Sequence, residues 1–130
     1  MSPVYILESI RTPRGKAKKS GGLHELSPYE LLDSLYNYIS ENEYVDLNKI
    51  DDVILGCVTQ QGEQAGNIAK SSALFSGLPH KVNGITLNRF CSSSLDAINF
   101  GYLKILSGQS NLVFSGGIEM MSRVPMLSDE

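Results

Sequence analysis

The sequence has little from which to build a disulfide framework or a metal site. Its 130 residues hold two cysteines, Cys57 and Cys91, and two histidines, His24 and His80. Two cysteines cannot make a disulfide scaffold, and they fit a reducing cytoplasm. No cluster of His and Cys has metal-ligand spacing, and His24-Glu25 lacks the second histidine, one turn on, of a zincin helix. Basic charge is also short. Eleven Lys and Arg against fourteen Asp and Glu leave a net charge of −3, whereas a nucleic-acid-binding domain usually carries a basic excess. No apolar run approaches the ~18 residues needed to span a bilayer. The opening Met1-Ser2-Pro3-Val4-Tyr5 lacks the basic and apolar regions of a secretory signal. There is no Asn-x-Ser/Thr acceptor and no phosphate-binding loop. What remains is the expectation of one cytoplasmic globular unit, because the chain is short for two independent cores.

Within that unit, β-rich runs alternate with helical patterns. Val4-Tyr5-Ile6-Leu7 is the first strand candidate, followed by a basic, glycine-containing loop that ends at Gly21-Gly22. Ser27-Pro28-Tyr29-Glu30 predicts a helix start: Ser27 caps a free N–H, Pro28 fits the first turn, and Glu30 completes a capping box. Leu31, Leu35 and Tyr38, with Leu32 and Ile39 beside them, predict its apolar face. The continuous apolar run Val53–Val58 suits a strand covered on both faces. Asn67 is placed to cap a second helix through Phe75, which Gly77 and Pro79 would stop. Ile85 to Phe90 alternates as a third strand. Leu95, Ile98, Tyr102 and Ile105 then mark a third helix ended by Gly108, and Leu112-Val113-Phe114 leads into Gly116-Gly117 as a fourth strand. The order β-α-β-α-β-α-β predicts an α/β fold with a mostly parallel sheet and helices on both faces.

The chemically informative junction is Phe90-Cys91-Ser92. Cys91 falls between a strand end and the first turn of the third helix, where open α/β sheets gather their reactive groups. A helix start offers free N–H groups and partial positive charge, which favour the nucleophilic thiolate. The alternative reading is a small buried hydrophobe. Cys57, inside an apolar strand, reads as packing, with burial raising its pKa. His80, after Leu78-Pro79, reads as part of a turn. Arg11, Arg14, Lys16, Lys18 and Lys19 read as a solvated loop, with attraction of a phosphorylated cofactor as the alternative. Gly116-Gly117 marks a close backbone approach. Met120 and Met121 read as core or pocket filler.

Several segments, in order, resemble the thiolase family. Asn88-Arg89-Phe90-Cys91-Ser92-Ser93-Ser94-Leu95-Asp96-Ala97 is similar to its nucleophile motif, and Gly116-Gly117-Ile118-Glu119-Met120-Met121 to its Gly-Gly-x-Glu-x-Met segment. Ile10-Arg11-Thr12-Pro13, Gly56-Cys57-Val58 and Gly66-Asn67-Ile68-Ala69 match as well. The resemblance implies residues 1–130 as a thiolase N-terminal domain, lacking the loop region, the fifth strand and the C-terminal half. It implies an acyltransferase working through a covalent acyl-Cys91, by thiolysis of 3-oxoacyl-CoA or formation of acetoacetyl-CoA. Coenzyme A thioesters would be substrates, with no metal and no tightly bound cofactor. The Val124-Pro125-Met126 ending and Asn88-Arg89 lean toward the degradative type.

Two positions depart from the family pattern. Ser94 stands where Gly is frequent, and Asp96 where Gln is common. Helical phase turns Asp96 about 140° away from Cys91, so little effect on the thiol is expected. The family's Gly-His-Pro histidine and second cysteine have no counterpart here, since His24, His80 and Cys57 sit in other contexts. The chain alone is therefore expected to be inactive or very slow, and the competing reading is a non-catalytic assembly module. The resemblance also implies a homo-oligomer paired through residues 84–90, and an outward apolar surface on the third helix.

Overall fold

The computed structural model describes residues 3–41 and 45–129; Met1, Ser2 and Glu130, limits of the expected domain, lie outside the described residues. Helix α1 spans Pro28–Ser40, α2 spans Ile68–Phe75 and α3 spans Ser93–Leu106. Strands β1 (Asp52–Gly56), β2 (Asn83–Leu87) and β3 (Val113–Gly117) form one parallel sheet in the order β2-β1-β3. Gly56 lies opposite both Leu87 and Gly117, so the three strands end level with one another. That common edge carries the site.

The α/β class and the parallel sheet stand as expected, with one strand fewer. Val4–Leu7 forms no strand. Tyr5, Ile6 and Leu7 are 72%, 84% and 56% exposed, so apolar burial does not offset the entropy of ordering them. A strand also exists only where an edge pairs with it, and neither β2 nor β3 takes this segment. Composition marks β-tendency; it does not supply the partner.

Helix α1 begins at the predicted capping box. The Glu30 N–H donates to Ser27 Oγ at 3.2 Å, and the Ser27 N–H donates to the Glu30 carboxylate at 2.7 Å. Its buried residues are Pro28, Leu31, Leu32 and Tyr36, whereas Tyr38 is exposed. The seam is thus rotated from the Leu31-Leu35-Tyr38 line, because Tyr36 stacks on Phe114 with centroids 5.6 Å apart. The Tyr36 hydroxyl is pushed up to about 12 by burial, against the lowering effect of its hydrogen bond to Ser72.

Every residue of β1 is buried, as a continuous apolar run in a central parallel strand should be. Val53 and Leu55 enter a cluster with Leu32, Tyr36, Ile68, Ala69 and Val82, on the side of α1 and α2. Asp52 and Gly56 alternate to the other side, where α3 lies. There Lys104 Nζ meets the Asp52 carboxylate at 2.7 Å. Helix α3 buries Ser93, Ala97 and Gly101, a stripe of small residues one turn apart. Its larger side chains, including Leu95, Ile98, Tyr102 and Leu103, are exposed. Of the periodic apolar set that marks α3 in the sequence, Leu95, Ile98 and Tyr102 therefore face outward, and Ile105 is half-buried.

Candidate functional site

Two glycines set how closely the start of α3 approaches the sheet. A Cβ on Gly56 would overlap the backbone of Ser93, and one on Gly117 would overlap Ser94 Oγ. The first turn of α3 accordingly sits against the level ends of β1 and β3, its backbone against Gly56 and the Ser94 side chain against Gly117. Strand β2 ends at Leu87, so Asn88, Arg89 and Phe90 form a short connector rather than the end of a strand. Cys91 follows it directly and is exposed.

That connector is held by side chains. Phe90 has φ of +49°, a left-handed conformation that costs a non-glycine residue about 1–2 kcal/mol. The Phe90 N–H donates to Asn88 Oδ1 at 2.8 Å. Ser93 Oγ accepts from the Arg89 N–H at 2.8 Å and donates to the Phe90 carbonyl at 2.6 Å. Ser92, the N-cap of α3, makes no side-chain capping bond. Among the described residues, nothing accepts from the Cys91 N–H. The thiol and one free backbone donor thus share an open surface at a helix start, where partial positive charge gathers. Asp96, the position that departs from the expected pattern, is occupied by an ion pair with Arg89 Nε at 2.8 Å.

Beneath the connector lies a polar network centred on Glu119, just past β3. Its carboxylate accepts from the Val58 N–H at 2.7 Å, the Thr59 N–H at 3.3 Å and Gln64 Nε2 at 2.9 Å. Gln64 is fully buried, and its Oε1 accepts from the Met120 N–H. The Val58 carbonyl in turn accepts from Asn88 Nδ2 at 3.3 Å. The ends of all three strands are thereby joined by hydrogen bonds. Reading the residues singly misses Glu119, Gln64 and Asn88, although a carboxylate directly after a glycine pair that ends a strand was a visible cue. Only the pairing of distant loops reveals what each one holds.

The remaining candidates lie elsewhere. Cys57 is buried, and its thiol is pushed up to about 12, first by burial and then by the charge of Glu119. That suits packing, not nucleophilic chemistry. His80 precedes β2, at the opposite end of the sheet from Cys91, and its carbonyl accepts from Lys70 Nζ at 2.8 Å. His24 lines a surface depression of about 610 Å³ with Lys19, Glu63 and Arg123. In it Arg123 donates to both Glu63 oxygens at 2.6 Å and to the His24 carbonyl at 3.0 Å. Arg11, Arg14, Lys16, Lys18 and Lys19 are exposed. Met120 is buried, as filler should be. Among the described residues, no helix is long and apolar enough to cross a bilayer, and no group of three or more His, Cys, Asp or Glu could hold a metal ion.

Residues 4–130 match the family model described as the thiolase N-terminal domain. A 3-ketoacyl-CoA thiolase of Idiomarina loihiensis is 37% identical over 126 residues, which are 97% of this chain and 33% of that protein. A beta-ketoadipyl-CoA thiolase of Acinetobacter baylyi is 41% identical over 96% of this chain and 31% of its own length. Among solved structures, the acetyl-CoA acetyltransferase of Bacillus anthracis superimposes with a TM-score of 0.74 at 36% identity. That match covers 81% of this chain and 26% of that one. The chain spans about a third of the length of the curated relatives it matches.

Proposed function

The chain belongs to the thiolase family, as its N-terminal domain, and on that footing we propose that it carries the acyl-accepting cysteine of a coenzyme A acyltransferase. One observation supports this above the others: Cys91 is exposed at the junction of the β2 connector and α3, beside an N–H with no acceptor among the described residues. The Cys91 sulfur attacks the carbonyl carbon of a CoA thioester, a carbon–sulfur bond forms, and the CoA thiolate departs with its electron pair. With a 3-oxoacyl-CoA the same attack falls on the keto carbonyl, and the carbon–carbon bond breaks. Its electron pair leaves on acetyl-CoA, which takes a proton. Covalent catalysis of this kind divides one difficult displacement into two easier ones. The Cys91 N–H is suited to stabilise the oxyanion that forms on the way.

Neither imidazole of the chain serves this sulfur, since His80 lies at the far end of the sheet and His24 beside Glu63 and Arg123. A positioned general base or acid contributes about 10²–10⁴-fold, so acylation by these residues alone is slow. The direct test is incubation with acetyl-CoA or acetoacetyl-CoA, followed by intact-mass spectrometry. An acyl adduct is expected on the unaltered chain and absent from Cys91→Ala. An adduct that survives in Cys91→Ala, or no adduct on folded protein, defeats the proposal.

A second reading, an assembly module, draws support from the exposed Leu95, Ile98, Tyr102 and Leu103 of α3. Strand β2, which overlaps residues 84–90, has β1 on one side and, among the described residues, no strand on the other, an edge that a second copy could extend. Sedimentation that yields only monomer removes that support.

A further inference from the structure

Within the reading of Cys91 as the acyl-accepting thiol, we infer that Asn88 is a positioning residue, setting the placement of Cys91 by holding Phe90 in its left-handed turn and tying that turn to the loop after β1. Three observations converge on this side chain. Its Oδ1 accepts from the Phe90 N–H at 2.8 Å, and its Nδ2 donates to the Val58 carbonyl at 3.3 Å. Both halves of the amide are thus engaged, one by the connector and one by the loop after β1. Phe90 is the residue immediately before Cys91, and its φ of +49° is one that a phenylalanine does not keep without external hold. Its side chain is 73% exposed, so packing does not supply that hold. Val58, the far anchor, is itself fixed by the Glu119 carboxylate.

The chemistry of the amide explains why Asn occupies position 88. An alanine offers neither a donor nor an acceptor. An aspartate accepts from Phe90 but cannot donate to the Val58 carbonyl, and it would bring a negative charge toward the thiol. A serine can accept from the N–H two residues on, more weakly than Asn does, and is too short to span to Val58. Without Asn88, only Ser93, bonded to the Arg89 N–H and the Phe90 carbonyl, holds the turn, and Phe90 and the Cys91 that follows it shift relative to the start of α3.

The experiment measures alkylation of Cys91 by iodoacetamide across the neutral and alkaline range, on the full chain, with adducts on Cys57 resolved by peptide mapping. Asn88→Ala is expected to keep its circular dichroism spectrum while Cys91 reacts about tenfold more slowly at neutral pH. Asn88→Ser is expected to recover part of that loss, which a purely structural role would not produce. Should Asn88→Ala fail to fold, the comparison passes to Asn88→Ser, with a smaller slowing expected. Folded variants that react at the parent's rate overturn the inference. Alkylation needs no CoA thioester, so a missing acyl adduct defeats the acyl-transfer reading alone, and unchanged alkylation defeats only the role of Asn88.

Discussion

On the face of the sheet that carries α1 and α2, Leu32, Tyr36, Ile68, Ala69 and Val82 close over Val53 and Leu55, and nearly all of that apolar surface is out of water. On the opposite face, α3 touches the sheet through Ser93, Ala97 and Gly101, and its large side chains point away. The first face is held by apolar area, with a fully buried aliphatic side chain worth about 1.5–3 kcal/mol. The second is held by close backbone approach at Gly56 and Gly117, and by the ion pair between Lys104 and Asp52. The apolar face gives stability. The glycine-lined face gives position, bringing Ser93 and Ser94 at the start of α3, just past the cysteine, against two strand ends, which bulky packing would forbid.

The contrast breaks most sharply at Lys104. Asp52 is 2% exposed, and removing its partner leaves a buried carboxylate without its cation. Lys104→Ala is expected to lower the unfolding free energy by about 3 kcal/mol in urea denaturation, with most of it recovered when Asp52→Ala is added. A loss below about 0.5 kcal/mol would mean that α3 is held without the ion pair.

A matched pair of truncations sharpens the comparison. Ile68 is fully buried on the α2 side, whereas Leu103 is 54% exposed on α3. Ile68→Ala is expected to cost about 2–5 kcal/mol, and Leu103→Ala no more than about 0.5 kcal/mol, in the same denaturant titration. Equal costs would show that α3's outer face is covered in solution.

The smallest effect concerns acid. Hydrogen bonding from Arg123 holds the Glu63 carboxyl below its ordinary value of 4.5, against a smaller raising effect of burial. The folded value lies below the unfolded one, so the stability from this pair is fully present above 4.5 and is lost as pH falls through the lowered value. Glu63→Gln should therefore flatten the fall in thermal midpoint below pH 4.5, and leave the neutral midpoint little changed because the pair is partly solvated. A steeper fall in the variant would reverse the sign argued here.

Local chemistry was legible along the chain wherever it is settled within a few residues. The Ser27–Glu30 capping box, the Asn67 cap and the left-handed Gly77 and Gly108 after their helices are all decided by neighbours in sequence. So is the continuous apolar run of β1. The resemblance in the segments around Cys91 and Gly116-Gly117 was equally readable and named the family. Two readings failed for one reason. Val4–Leu7 carries strand-like residues but pairs with neither free edge of the sheet, and Tyr38 has helical spacing without a surface to meet.

By itself, then, the order of amino acids determined where helices begin and end, which strand would be central, and which sulfur stood at a helix start, because these depend on contacts a few bonds away. Folding in three dimensions decided which side of α3 met the sheet, that Asn88 would reach Val58, and that Glu119 would gather Val58, Thr59 and Gln64. Those contacts join residues 30 to 61 positions apart, and no local pattern encodes which distant loops a parallel sheet will bring level.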